Sequence, residues 1–413
     1  MGSERLVVIS ADGHAGPEKV ADYAPYLEAK FRPEFQGYLA RMAQYDAKDS
    51  DALTGGGAGA RGGEDGLWDF ALRERHLDAD GVSAEVLHIQ GSAPFGVYPA
   101  VASRDRPMDF DPNPAQLAAG CRAYNRWLAE RCAAYPGRHL GIAKLPIPDI
   151  EASVAEVAFA AKAGLRGGVA LPVLSRPDIP FYNDPRYEPL WAACEAHGMT
   201  LNLHGSANLS YGNGPERTAL ILAETDWFGR RGVAHLIFSG VFERYPKLHL
   251  AITEQRTHWL QPMLMEYDSI YEFWGNANLR RHLPRRPSEY FDSNCFVGAS
   301  FMSRLECEAR GELGASAFMW GSDYPHEEGV WPDTKVSLRW TFGCGVPSGE
   351  LRQMLGLNAA RCYGVDIGGL KPIAERIGPT EAELRTPVDA LPERAPGDVR
   401  MKSWGFRREG PWH

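Results

Sequence analysis

The sequence predicts an α/β fold, a (β/α)8 TIM barrel with long inserted loops and a C-terminal extension. Three observations carry that expectation. Eight short apolar runs recur along the chain, helical patterns lie between them, and several runs stop abruptly at a polar residue of metal-ligand type. The runs are LVVIS (6–10), AEVLHI (84–89), HLGIAKL (139–145), GGVAL (167–171), MTLNLH (199–204), HLIFS (235–239), LHLAIT (248–253) and AFMWGS (317–322). They are nearly continuous rather than alternating, as suits strands buried on both faces of a parallel sheet.

The intervening segments read as helices. PAQLAAGCRAYNRWLAERCAAYP is amphipathic and precedes the third run. IEASVAEVAFAAKAGL is rich in alanine and ends at Gly164. DPRYEPLWAACEAHGM opens on an aspartate cap with proline and closes at Gly198. Strand alternating with helix gives βαβ units with right-handed crossovers. Eight units favour a closed barrel over an open doubly wound sheet. The segment ADGHAGPE after the first run also lacks the glycine fingerprint of a dinucleotide fold.

The barrel is expected to span residues 1–368, with insertions at 15–65, 91–112 and 264–312. Residues 369–413 form an extension lying on the barrel or on a neighbouring subunit. The first two insertions follow strands one and two, so they belong over the active face. The glycine run at 54–63 lacks the GK[ST] ending of a phosphate loop and reads as a mobile loop.

Bulk properties narrow the function. The chain has 413 residues, 44% of them hydrophobic and 23% charged, with a net charge of −9. That balance argues against a nucleic-acid partner, and no basic block suggests a membrane surface. No apolar stretch approaches the length of a transmembrane helix, and MGSERLVVISADGH has no signal-peptide core. The seven cysteines are scattered, form no CxxC pair and read as reduced thiols. A cytoplasmic enzyme acting on a small molecule is expected.

Asp12 and His14 stand two apart at the end of strand one, so both can face the barrel mouth. His204 ends strand five and Asp323 follows strand eight. Two carboxylates and two histidines suit a divalent metal such as zinc, manganese or iron. The plainer reading of each residue alone is a hydrogen-bonded core or loop side chain. Four at strand ends together favour a metal.

These stretches, with SGVFERYPKLHLAITEQ and WGSDYPHEEGVWPDT, resemble the decarboxylase-type branch of the amidohydrolase superfamily, which includes aminocarboxymuconate semialdehyde decarboxylase. The resemblance runs from about residue 6 to 365. It implies a (β/α)8 barrel holding one or two metal ions, and it carries ligand roles onto Asp12, His14, His204 and Asp323. It also makes Asp323 a proton shuttle and implies a homodimer, or a hetero-oligomer with a related barrel subunit.

The chain departs from that pattern twice. Asp12 stands where many members have the first histidine of HxH. Ser239 stands in the run taken as strand six, after which decarboxylases of this branch place a histidine. Serine is no general base unaided. Glu254 and His258 follow the next run, and a helix starting there would put them on one face, able to hold a second ion. Capping and surface placement are the plainer readings of that pair. His326 is a candidate catalytic or substrate-contacting residue. His88 reads first as a core histidine, and Arg61 as a solvated loop arginine. The leading expectation is metal-dependent hydrolysis or non-oxidative decarboxylation of a carboxylate- or carbonyl-bearing substrate, with Asp323, Glu254 and His326 as catalytic groups. The alternative is a dinuclear iron or manganese/iron monooxygenase.

Overall fold

The computed structural model describes residues 4–46, 64–90, 93–96, 113–174, 178–205, 214–326, 329–343, 345–386 and 388. Ile9–Ser10 and His14–Ala15 together supply the first strand, interrupted at Asp12. Seven more follow: Ala84–Ile89, His139–Ala143, Gly168–Ala170, Leu201–His204, Leu250–Thr253, Cys295–Ser300 and Phe318–Gly321. All pair in parallel and in chain order. The two edges of the sheet then meet. Ala11 N–H donates to the Trp320 carbonyl (2.9 Å), His14 N–H to Tyr324 (2.8 Å) and Asp323 N–H to Asp12 (3.1 Å). The result is the expected (β/α)8 barrel.

Alternation along the strands separates two cores. Ile9, Ala84, Val86, Leu140, Ile142 and Met319 fill the lumen. Leu87, Ala143, Leu203, Ile252, Val297 and Trp320 face outward into the helical layer. The lumen is stoppered at the N-terminal end of the strands. There the Cys362 carbonyl accepts from the Thr200 hydroxyl (2.5 Å), and Tyr363 Oη donates to Asn202 Oδ1 (3.1 Å). The opposite end is left to the polar residues that end the strands.

The helices begin and end where their caps dictate. Asn113 caps Pro114–Ala133 in a reciprocal pair with Gln116, and Asp149 caps Ile150–Ala163, which Gly164 ends with φ 81°. The first part of the C-terminal extension packs on the barrel. Helix Ile367–Ile377 contributes Leu370 to the lower core, and Leu6 N–H donates to Pro379 (2.8 Å). Residue 387 and residues 389–413 lie outside the described residues, as do the glycine run at 54–63, Arg61 and most of 91–112.

Two expectations are corrected. HLIFS (235–239) is no strand; it ends the helix Arg217–Phe238, with Ser239 as its C-cap. A short apolar run carries no period long enough to tell buried helix from buried strand. The real seventh strand is Cys295–Ser300, inside the segment 264–312 expected to be a loop insertion. CFVGAS is short, ends in small residues and sits among charged helices, which hid it. The count of eight therefore held while the identities shifted: Leu250–Thr253 is strand six, and Glu254 follows strand six rather than seven.

Candidate metal centre

The C-terminal ends of strands one, five, six and eight bring Asp12, His14, His204, Glu254 and Asp323 together. His14 Nε2 lies 3.1 Å from Asp323 Oδ1 and 3.5 Å from Asp12 Oδ1. His204 Nε2 lies 3.6 Å from Asp12 Oδ1 and 3.1 Å from Glu254 Oε2. Asp12, His14 and Asp323 are fully or almost fully buried, and His204 and Glu254 partly so.

These short approaches are not hydrogen bonds. Asp12 Oδ1, His14 Nε2, His204 Nε2 and both carboxylate oxygens of Asp323 are buried without a hydrogen-bond partner. Leaving one such group unpaired costs about 1–3 kcal/mol, more when it is charged. Donor atoms that crowd together but do not pair are aimed at a common point, which is what a cation requires. Asp12, His14, His204 and Glu254 form one converging group; His14, Asp323 and His326 form another that shares His14. Oxygen and imidazole donors fit a divalent ion of the zinc, manganese or iron type.

Local structure holds the donors in place. The remaining oxygen of Asp12, Oδ2, accepts from Ser300 Oγ, the last residue of strand seven. Ser300 Oγ in turn accepts from Glu254 N–H at 3.2 Å. A β-carbon at Gly321 would stand 2.9 Å from that of Asp12, so only glycine admits Asp12 there. Glu254 and Asp323 adopt left-handed backbone, φ 56° and 55°. Such conformations cost about 1–2 kcal/mol each in a non-glycine residue, and strain of this kind gathers at functional sites. The backbone carbonyl of His14 accepts from Arg73 Nη1 at 2.7 Å, and Arg73 is itself clamped by Glu85.

The electrostatics follow from the geometry. Burial opposes ionisation of Asp12, but contacts with His14 and His204 outweigh it and hold its carboxyl well below the ordinary value. Burial likewise works against Asp323, and His326 with His14 brings its carboxyl down. Burial and the nearby His326 work against protonation of His14, yet Asp12 and Asp323 raise it. Asp12 and Asp323 are therefore carboxylates, as ligation demands, whereas His14 would give up its proton when an ion binds.

His326 stacks on His14 with ring centroids 3.9 Å apart. Its Nδ1 lies 2.9 Å from Asp323 Oδ1 and its Nε2 2.8 Å from Gln90 Oε1. His258 joins neither converging group; Asp226, Arg256 and Arg230 are the charges around it. The helix that would align it with Glu254 begins only at Leu260, and Glu254 and Arg256 have left-handed backbone. Ser239 lies outside the strand ends, where its carbonyl accepts from Arg244 Nη1 (2.7 Å), and His235 stacks on Phe181. Sequence reasoning missed Ser300, Gln90 and Arg73. Ser300 went unseen with its strand; for Gln90 and Arg73 no local pattern marks the role.

A family model described as amidohydrolase matches residues 89–365. The chain belongs to the amidohydrolase family. This amidohydrolase is 25% identical over 309 residues to gamma-resorcylate decarboxylase of Rhodococcus jostii (strain RHA1), covering 71% of this chain and 87% of that protein. Its fold is shared with an amidohydrolase from Mycobacterium avium subsp. paratuberculosis K-10, with TM-score 0.64, 18% identity, and 87% and 99% of the two chains covered. It is also shared with a dihydroxybenzoic acid decarboxylase from Polaromonas sp. JS666 that holds manganese and the inhibitor 2-nitroresorcinol. There the TM-score is 0.56, the identity 19%, and the coverage 87% and 97%. Membership makes this chain a metal-dependent enzyme of the hydrolase and lyase class, as the sequence led one to expect. No described helix is long and apolar enough to cross a membrane.

Proposed function

We propose that this amidohydrolase is a metal-dependent, non-oxidative decarboxylase of a small aromatic or acyl carboxylate. Asp12, His14, His204 and Asp323 are its ligands for one divalent ion, manganese or zinc, with Glu254 beside them. The observation that carries the reading is the set of buried donor atoms that approach in pairs at 3.1, 3.5 and 3.6 Å yet make no hydrogen bonds. The 25% identity to a gamma-resorcylate decarboxylase, spread over most of both chains, supports decarboxylation over hydrolysis.

A bound divalent ion supplies positive charge that polarises a substrate oxygen and lowers the pKa of bound water. The chain's own residues do the rest. In decarboxylation the bond between carbon and the carboxylate breaks, carbon dioxide leaves, and the vacated carbon takes a proton. Asp323 and His326, 2.9 Å apart, are the pair placed to deliver it. His326 Nδ1 faces Asp323 while Gln90 holds Nε2, which fixes the ring for proton transfer. Burial of Asp12 and Asp323 keeps bulk water from competing for that proton. Glu254 takes the place after strand six where the resemblance expects histidine, and the Gly205 carbonyl, 3.0 Å from His204 Nδ1, orients that imidazole. His258 belongs to neither converging group, so the second site that the dinuclear oxygenase reading placed on Glu254 and His258 lacks one of its ligands.

The test is carbon dioxide release from gamma-resorcylate and related hydroxybenzoates by manganese-loaded protein. Asp323→Asn should lower the rate by about 100-fold or more. Turnover in Asp323→Asn equal to wild type would refute the assignment.

A further inference from the structure

The mouth of the barrel carries a buried cation that no step above uses. Lys144 follows strand three directly and is 4% exposed. Along that strand Leu140 and Ile142 face the lumen, while Ala143 and Leu145 pack outward among the helices. The same alternation aims Lys144 into the lumen, above Ile142. Asn125 fixes its backbone from the helical layer. Asn125 Oδ1 accepts from Lys144 N–H (2.8 Å), and Nδ2 donates to the Lys144 carbonyl (2.9 Å) and to Glu156 Oε2 (2.8 Å).

On strand two, Ala84, Val86 and His88 face the lumen in turn. His88 is almost fully buried, and its Nε2 has no hydrogen-bond partner. Its ring centroid lies 4.3 Å from that of His204 and 5.9 Å from that of His14, so it borders the proposed metal centre. His88 thus offers one ring nitrogen open to a ligand. Burial draws the Lys144 ammonium down to about 7, so an anion beside it is what keeps it charged.

The centre itself is rich in negative charge: Asp12 and Glu254 belong to one converging group, and Asp323 to the group that shares His14 with it. An anionic substrate entering such a site needs a cation off the metal. We propose that Lys144, with His88 beside it, is the substrate's anion holder: it takes the carboxylate of the substrate at the barrel mouth and so selects carboxylates over their uncharged analogues. The inference rests on reading the centre as a metal-dependent decarboxylase and adds the residues that choose its substrate.

The test is calorimetric titration of the full-length manganese-loaded protein with gamma-resorcylate and with its uncharged amide. Wild type should bind the acid at least about tenfold more tightly than the amide, the scale of one charge-assisted hydrogen bond. Lys144→Met should lose that preference by weakening acid binding alone, with manganese content unchanged. Lys144→Arg should keep part of it. Equal binding of acid and amide by wild type, or acid binding by Lys144→Met within about twofold of wild type, overturns the proposal.

A second measurement needs no variant. Wild-type protein is treated with limiting acetic anhydride, and acetylation of Lys144 is read by mass spectrometry. Gamma-resorcylate should protect Lys144, and the amide should not; absence of protection overturns the proposal. Wild-type protein that holds no manganese would refute the metal reading instead. Protection by the acid and its preference over the amide then still judge Lys144 on the metal-free protein.

Discussion

In the proposed centre, the facing atoms of neighbouring side chains make no hydrogen bonds with one another and are left for a cation to join. Asp12 shows this best. One oxygen is satisfied by Ser300; the other stands close to two imidazoles with no hydrogen bond. Ser300 is therefore the support that aims the free oxygen. Ser300→Ala should weaken metal affinity by about 10–100-fold, the usual effect of removing a group that orients a ligand. Competition titration against a chelator measures it, and unchanged affinity would deny Ser300 that role. Asp12, His14, His204 and Asp323 were legible in the sequence because each ends an apolar run. Glu254 was legible as a residue at the mouth, though on the wrong strand. Ser300 was not legible, since its own strand was taken for a loop.

Among elements, the buried network beneath strands one and two decides how firmly His14 is held. Arg73 and Glu85 are both fully buried and pair through two bonds. Glu85 also lies 2.9 Å from His139 Nδ1, and Arg73 donates to the carbonyls of His14 and Gly66. Despite the opposing effect of burial, Arg73 and His139 bring the Glu85 carboxyl down to about 2 from an ordinary 4.5. A lowered acid stabilises the fold above its unfolded value, and that contribution disappears as pH falls from about 4.5 toward 2. It is worth about 3 kcal/mol at most. Arg73→Met leaves Glu85 buried with only His139 beside it and should cost about 3–5 kcal/mol in urea unfolding near neutral pH. Most of that deficit should vanish in acid, where Glu85 is protonated; a deficit independent of pH would contradict the assignment. The same scale shows what sequence could not decide. Strands with a run of β-branched and aliphatic residues were found, because burial on both faces demands them. HLIFS meets that description from inside a helix, and CFVGAS, weakened by glycine, alanine and serine, fails it from inside the barrel.

Across the molecule, the helix Phe70–Asp80 meets the helix Thr334–Phe342 near the place where strands one and eight come together. Asp80 Oδ2 accepts from Thr334 Oγ1 at 2.5 Å. Burial raises the Asp80 carboxyl to about 7 from an ordinary 3.8, against the pull of Thr334 and Lys335. A raised acid binds its proton more tightly when folded, so stability falls as pH climbs from about 4 to 7 and then levels off. The loss amounts to about 4 kcal/mol at most. Asp80→Asn keeps an acceptor for Thr334 without the ionisation cost. It should unfold at higher temperature than wild type at about pH 8 and match it near pH 4. Equal pH profiles for the two proteins would show that Asp80 is not the titrating group.

The fold itself exists to gather residues 12, 14, 204, 254 and 323, hundreds of positions apart in the chain, around one point. Metal analysis tests that claim most directly: the content of divalent ions in wild-type protein and in Asp12→Asn, His204→Ala and Asp323→Asn, each purified without added metal and then loaded with manganese. The account predicts about one tightly held ion per chain in wild type and its loss, or affinity lowered by about 100-fold, in Asp12→Asn and His204→Ala. Full retention of the ion by both of those variants, in folded protein, would place the metal elsewhere and contradict it.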